Sequence, residues 1–114
     1  IDDPRGYGRI VIENNKISKI VEEKDCTEEE RQIKFINSGI YTFNIKVLLQ
    51  YIDKIDNNNK QNEYYLTQLF EVFVKNYIPI NYQIVENILE ISGVNDQQQL
   101  LILENYAKKI DKKN

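Results

Sequence analysis

Two short runs of mainly β-branched residues, at positions 9–13 and 17–21, dominate the first part of the chain. Runs of this composition and length are typical of β-strands. Asn14 and Asn15 stand between them, and asparagine tolerates the positive φ angles that tight hairpin turns require. The pattern therefore predicts a β-hairpin over residues 8–22.

The segment that follows the hairpin, residues 25–31, is acidic and polar. Thr27 precedes Glu30 by three residues, which is the spacing of a capping box and predicts a short helical turn. Residues 35–43 are then predicted to form a strand that Gly39 interrupts. A glycine inside a strand often marks a bulge or a place where the backbone closely approaches a ligand.

Two stretches in the middle of the chain carry apolar residues at helical spacing. The first begins at Asn44, whose side chain can cap a helix, and runs to about residue 55. The second spans residues 66–76, and the polar residues 57–62 are predicted to form a surface loop between the two helices.

The last third of the chain is predicted to contain two more strands and a helix. Residues 80–84 alternate as a strand does, and a second short strand is predicted near residues 88–91. A final helix is predicted from about residue 97 to residue 112, with Asn95 or Asp96 as its cap. Strands that alternate with helices indicate an α/β fold, and the hairpin makes part of the predicted sheet antiparallel, so the sheet is expected to be mixed.

The composition favours a globular protein and excludes several kinds of site. Of the 114 residues, 41% are hydrophobic and 29% charged, and the net charge of −3 gives no reason to expect a nucleic-acid partner. Cys26 is the sole cysteine and histidine is absent, so an intrachain disulfide and a Cys/His zinc site are excluded. The reducing cytoplasm is the expected compartment. The apolar runs are far shorter than the roughly 20 residues of a membrane-spanning helix, so no membrane partner is expected.

Three residues in the first half could contact a ligand, although each also has a purely structural explanation. Gly8 would let the backbone approach a ligand, but glycine is also common in turns. Glu22 could accept hydrogen bonds from two adjacent hydroxyl groups of a ligand, or it could be a solvated charge at the end of a strand. Asn37 offers a donor and an acceptor for a hydroxyl or acetamido group, or it could bridge backbone groups.

Three later residues are similarly ambiguous. Tyr65 and Thr67 lie at the start of a predicted helix, where backbone amides favour an anionic ligand, but Tyr65 could belong to the core and Thr67 could cap the helix. Asn95 alone would be a weak Mg²⁺ ligand, because magnesium usually also takes carboxylates, substrate phosphates and water. By itself, Asn95 is better explained as a helix cap.

Four segments carry a family resemblance and follow one another in order: GYGRIVIENNKISKIVEEKD, RQIKFINSGIY, NEYYLT and GVND. Together they resemble the sugar-binding half of a sugar-nucleotide pyrophosphorylase, and in particular the uridyltransferase domain of bacterial bifunctional N-acetylglucosamine-1-phosphate uridyltransferases. The resemblance covers residues 2 to about 105. It implies a Rossmann-like nucleotidyltransferase fold, with a mixed sheet, flanking helices and a β-hairpin, of which only the C-terminal half is present.

The resemblance also implies how the chain is divided. Residues 1–95 would be the sugar-binding half of the nucleotidyltransferase domain, and residues 96–114 a C-terminal helix that leads toward an absent acetyltransferase domain. The 114 residues contain no glycine-rich phosphate loop, so this fragment is expected to be inactive alone. The full-length parent is expected to be a homotrimer.

In the family that these segments resemble, the phosphate of N-acetylglucosamine 1-phosphate attacks the α-phosphorus of UTP, which releases pyrophosphate and forms UDP-N-acetylglucosamine. The resemblance implies six substrate-binding residues: Gly8, Glu22, Asn37, Tyr65, Thr67 and Asn95. Of these, Asn95 would also help to hold Mg²⁺. The family commonly has an aspartate directly after the threonine, whereas this chain has Gln68, which leaves any role of that acidic residue in doubt.

Two other functions remain open. Another sugar-nucleotide pyrophosphorylase, such as a glucose-1-phosphate uridylyl- or thymidylyltransferase, would share the fold and the reaction but use another sugar. Glu22 together with the RQI segment, residues 31–33, favours the N-acetylglucosamine enzyme. A non-catalytic binding or structural module would instead use the same residues as core, caps and turns.

Overall fold

The computed structural model describes residues 1–94 and 96–113. The chain forms two compact units, Ile1–Tyr82 and Gln83–Asn114. Among the helices described, none has both the length and the apolar character needed to cross a membrane.

The first unit begins with the expected hairpin. Strand β1 (Arg9–Glu13) pairs antiparallel with strand β2 (Lys16–Val21), and the register shifts between Val11 and Ile12. Asn14 and Asn15 have φ angles of 51° and 63°, so both turn residues adopt the left-handed conformation that asparagine tolerates. The predicted hairpin is confirmed.

The acidic segment after the hairpin contains the short helix α1 (Glu28–Arg31). The Glu30 amide donates to Thr27 Oγ1 at 3.1 Å, and the Thr27 amide donates to Glu30 Oε1 at 2.9 Å. These reciprocal bonds are a capping box, as the spacing of the two residues predicts.

Helix α2 (Ile45–Tyr51) begins after Asn44, whose Oδ1 accepts hydrogen bonds from the amides of Lys46 and Val47. One turn of 3-10 helix, Ile52–Lys54, extends the helical path almost to its predicted end. Asn44 is therefore the helix cap that the sequence predicts.

A small apolar core lies between β2 and helix α3 (Gln68–Lys75). The spacing of the apolar residues in α3 places them on one face of the helix, which packs against the inner face of the strand. Aromatic rings from the chain before α3 extend this core, since Tyr41 and Phe43 contact Phe70. The buried residues at the centre are Ile17, Ile20, Leu69, Phe70 and Phe73.

The strand predicted for residues 35–43 is wrong. One isolated bridge joins Ile36 to Arg9, and the chain then leaves the sheet. The Gly39 amide donates to Asn37 Oδ1 at 3.0 Å, and Gly39 has a φ of 78°. A local side-chain bond of this kind competes with ladder pairing, and the positive φ turns the backbone out of the extended conformation.

The strands predicted at residues 80–84 and 88–91 are also wrong. Residues 80–84 adopt no regular secondary structure, and Ile88–Glu90 forms one turn of 3-10 helix. The side chain of Asn87 accepts a hydrogen bond from the Leu89 amide at 3.0 Å, which favours the turn. Apolar alternation yields a strand only where another strand is available for pairing.

The described residues thus combine helices with one two-stranded antiparallel sheet, β1–β2. The mixture of helices and strands expected from the sequence is confirmed. The mixed sheet of a Rossmann-like fold is not formed within residues 1–94 and 96–113, because no parallel strand pair is present there.

The second unit contains the predicted final helix, α4 (Gln97–Lys113). Asp96 Oδ1 accepts a hydrogen bond from the Gln99 amide at 2.7 Å, so Asp96 acts as a cap. Asn95, the alternative cap, lies outside the described residues. Within this unit the Tyr106 hydroxyl accepts a hydrogen bond from Asn87 Nδ2 at 2.8 Å.

Candidate functional site

The open end of the hairpin brings Gly8, Glu22 and Asn37 together. Arg9 pairs with Val21, so the residues that flank this pair, Gly8 and Glu22, face each other across the strands. The Asn37 amide donates to the Gly8 carbonyl at 2.9 Å, which fixes the third segment beside the other two. Residues 14 to 29 positions apart in the sequence are thereby held at one site.

Gly8 leaves a space between the two polar side chains. A Cβ atom at Gly8 would lie 3.5 Å from Glu22 Oε2 and 3.6 Å from the Asn37 Cβ. These distances are ordinary van der Waals contacts, and the φ of Gly8 is not positive. The backbone therefore does not require glycine here, and the absent side chain instead keeps the surroundings of the Glu22 carboxylate open.

Thr67 holds the other oxygen of Glu22. Its hydroxyl donates to Glu22 Oε1 at 2.9 Å, and Thr67 is only 7% exposed. Thr67 stands at the N-cap position of α3, but its side chain makes no capping bond. The Thr67 hydroxyl thus donates to Glu22. The interpretation of this side chain as a helix cap is wrong.

Tyr65 lines the same cleft as Glu22 and Thr67, and this cleft has a volume of about 220 Å³. The Tyr65 hydroxyl oxygen is shielded from solvent and has no hydrogen-bond partner of good geometry within the described residues. Desolvation raises the pKa of this hydroxyl, and nearby carboxylates, including Asp25 and Glu22, raise it further. Tyr65 therefore presents a neutral phenol to an acidic cleft.

Tyr41 adjoins the Asn37 side of the site and was not among the residues singled out from the sequence. Burial raises the pKa of its hydroxyl, a hydrogen bond with the Asn37 side chain opposes that rise, and the charge of Glu22 adds to it. Its position within the INSGIY segment was the available signal.

Arg9 was also missed, and Glu23 was given no weight as a site residue. Arg9 is 1% exposed, and its Nη1 lies 2.5 Å from Glu23 Oε2. The hairpin register gave no signal for this pair, because β2 ends at Val21 and Glu23 lies in the following turn of 3-10 helix, Glu23–Asp25.

Five of the six residues selected from the sequence are therefore grouped around Glu22. Glu22, Tyr65 and Thr67 line one cleft, and Gly8 and Asn37 adjoin the other carboxylate oxygen of Glu22. The sixth, Asn95, lies outside the described residues. In the part of the chain that the structure describes, no group of three or more acidic or cysteine side chains could hold a metal ion.

Comparison with known proteins identifies the family. The family model described as "Nucleotidyl transferase" matches residues 1–88, which include all five residues brought together at the site. The chain belongs to the nucleotidyl transferase family.

Curated relatives in this nucleotidyl transferase family are longer proteins. The chain is 52% identical over 107 residues to the bifunctional protein GlmU of Fervidobacterium nodosum, covering 94% of the chain and 23% of the relative. It is 48% identical over 110 residues to the bifunctional protein GlmU of Clostridium tetani, covering 96% of the chain and 24% of the relative. The resemblance to a bifunctional bacterial protein is confirmed.

The chain spans about a quarter of the length of these relatives. The matched part lies in their N-terminal region. The expectation that the chain is the C-terminal half of the nucleotidyltransferase fold is corrected accordingly.

Proposed function

We propose that this chain supplies the sugar-binding part of a nucleotidyltransferase that forms UDP-N-acetylglucosamine and pyrophosphate from UTP and N-acetylglucosamine 1-phosphate. One observation carries the proposal: the Glu22 carboxylate is held by Thr67 on one oxygen and lies beside the space at Gly8 on the other. A carboxylate fixed in this way is a strong acceptor for sugar hydroxyls.

The residues next to Glu22 add groups of suitable chemistry. Asn37 Oδ1 accepts from the Gly39 amide and its NH₂ group bonds to the Tyr41 hydroxyl, so the second N–H of that group is the one that would donate to a hydroxyl or acetamido oxygen. Tyr65 lines the cleft beside Glu22 and Thr67 and offers a ring face there, with its hydroxyl close to the Asp25 carboxylate. A few convergent polar groups beside apolar surface are typical of sites for small ligands.

In the proposed reaction, a phosphate oxygen of the sugar phosphate forms a bond to the α-phosphorus of UTP as the bond to the β-phosphate oxygen breaks. The residues described here would orient the sugar so that its phosphate points along the line of attack. Such positioning requires no covalent intermediate with the protein. The Rossmann-like arrangement of the complete domain is part of the same proposal.

Mg²⁺ is proposed as the companion of the substrate phosphates, where it would neutralise their negative charge. Asn95 is the proposed contact from this chain, and its role rests on the resemblance of the GVND segment. Three further points remain predictions. They are the functional boundary between residues 95 and 96, the homotrimeric state of the full-length parent, and the cytoplasmic location.

Calorimetric titration would test the proposed function. UDP-N-acetylglucosamine, UDP-glucose and UMP would be added separately to the chain and to a Glu22→Gln variant. We expect saturable binding of UDP-N-acetylglucosamine in preference to the other two ligands, and weaker binding by the variant. Preference for UDP-glucose would favour another sugar-nucleotide pyrophosphorylase, and a folded chain that binds none of the three would favour a structural module.

A further inference from the structure

The buried side chain of Arg9 connects three separate segments around the site. Its Nη1 donates to the carbonyl oxygen of Tyr7 and to Glu23 Oε2, and its Nη2 donates to the carbonyl oxygen of Arg31 at 3.3 Å. Arg9 is 1% exposed and Glu23 is 26% exposed, so these bonds are partly shielded from solvent. Charge-assisted bonds in such surroundings are strong and directional.

Each partner of Arg9 adjoins a segment that carries a proposed sugar contact. Tyr7 immediately precedes Gly8, and Glu23 immediately follows Glu22. Arg31 begins the stretch that leads to Asn37, whose amide bonds to the Gly8 carbonyl. The guanidinium group thus bonds to the backbone of two of these segments and to the Glu23 side chain of the third.

Stability alone is a poor explanation of this arrangement. Burying an ion pair has a desolvation cost that often cancels the attraction, so an apolar pair of similar size would often stabilise the fold equally well. An apolar pair could not bond to two carbonyl oxygens and a carboxylate in fixed directions, whereas the planar guanidinium group can.

We propose that the Arg9–Glu23 pair is a positioning element for the sugar site and sets the relative placement of Gly8, Glu22 and Asn37. This inference rests on the proposed function for its ligand. Arg9 itself does not touch the sugar, because its guanidinium group is turned toward Tyr7, Glu23 and Arg31.

The test compares Glu23→Gln and Arg9→Lys with the control Asp3→Asn. Asp3→Asn also removes a paired carboxylate, because Asp3 forms two side-chain hydrogen bonds with Arg5, and that pair is exposed. Asp3 lines the same pocket as Arg9 and Glu23, but within the described residues its carboxylate bonds to Arg5 and to neither of these two, so the variant separates the loss of a nearby charge from the loss of the Arg9–Glu23 bond. All variants are studied at a temperature at which each is fully folded, and affinity for UDP-N-acetylglucosamine is measured by calorimetry.

We expect Glu23→Gln to bind about tenfold more weakly, because small displacements of fixed ligand-binding groups are costly, and Asp3→Asn to bind normally. We also expect the ligand-free amide signals of Gly8, Glu22 and Asn37 to move in Glu23→Gln while those of α3 remain. Arg9→Lys should show an intermediate loss of affinity, because lysine retains a charge but not the three-way geometry.

A folded Glu23→Gln variant with unchanged affinity and unchanged signals at the site would overturn the inference. If Glu23→Gln does not fold, Arg9→Lys decides, and normal affinity in that variant has the same meaning. If the unaltered chain does not bind the sugar nucleotide, the proposed function fails. The ligand-free signals then still show whether the pair positions these three residues.

Discussion

Substituting Gly8 by alanine should separate folding from binding. The new Cβ would lie 3.5 Å from Glu22 Oε2 and from the Val21 carbonyl oxygen, and 3.6 Å from the Asn37 Cβ. These are ordinary contacts, and a glycine-to-alanine change at a compatible backbone conformation typically stabilises a protein by about 0.4–1 kcal/mol. We therefore expect the free energy of unfolding of Gly8→Ala to stay within about 1 kcal/mol of the original.

Binding should respond differently, because the methyl group occupies the space from which a sugar hydroxyl would reach Glu22 Oε2. A hydroxyl must come within about 2.7–2.8 Å of a carboxylate oxygen to form a good hydrogen bond. Loss of one bond to a charged group corresponds to about 1.5–3 kcal/mol, so the dissociation constant should rise roughly tenfold to hundredfold. Urea denaturation measures the first quantity and calorimetry with UDP-N-acetylglucosamine the second.

Gly6→Ala is the matched control. Gly6 has a φ of 86° and nothing lies within 4 Å of a Cβ placed there, so alanine would be strained without filling the pocket. That variant should lose about 1–2 kcal/mol of stability and, while folded, bind normally. The reasoning about the space at Gly8 is refuted if folded Gly8→Ala binds as tightly as the original chain.

Further predictions concern the neighbouring hydrogen bond, the first helix, the core and the activity of the chain. Thr67→Val removes the donor to Glu22 at nearly constant volume, so affinity by calorimetry should fall about tenfold, while Thr67→Ser should retain most of it. The Thr27 amide, and more weakly Lys19, lower the pKa of Glu30 from its ordinary 4.5. The stability that Glu30 contributes is therefore complete above pH 4.5 and disappears as the pH falls through the lower folded-state pKa, so Glu30→Gln should weaken the pH dependence of urea unfolding in that acidic range. Leu69→Ala empties a fully buried position and should cost about 2–5 kcal/mol in urea unfolding, whereas the exposed control Leu49→Ala should cost far less. The chain alone should release no pyrophosphate above background from UTP, sugar phosphate and Mg²⁺ in a coupled assay, and clear release would show that it is active alone.

The turns and helix caps that depend on bonds between neighbouring residues were predicted correctly from the sequence. The turn at Asn14 and Asn15, the capping box of Thr27 and the cap at Asn44 each depend on residues within three positions of one another. Helix α3 also followed from its apolar spacing. Such elements need little knowledge of the rest of the fold.

Strands were less predictable because a strand depends on a partner that the local pattern does not name. Residues 35–43 have a strand-like composition, but the Asn37 bond to the Gly39 amide and the positive φ of Gly39 turn the chain after a single bridge. Residues 80–84 alternate as a strand does, yet they pair with none of the described strands. The first failure arises from a local side-chain bond that competes with strand pairing, and the second from the lack of a pairing partner among the described strands.

The candidate site was predictable as a set of residues but not as a geometry. The family resemblance selected Glu22 and Thr67, but the bond between their side chains, across 45 residues, and the consequent loss of the predicted side-chain cap of α3 became visible only in the structure. The buried position of Arg9 was missed because charged residues are usually exposed, so the pattern gave no reason to place this side chain inside.

The most direct test of the account is a map of amide chemical shifts during titration of the chain with UDP-N-acetylglucosamine, with and without Mg²⁺. We expect saturable shifts of the amide signals of five residues, with a single dissociation constant for all of them. These residues are Gly8, Glu22, Asn37, Tyr65 and Thr67. Saturable shifts elsewhere, with these five signals unmoved, or a folded chain that shows no shifts at all, would contradict it.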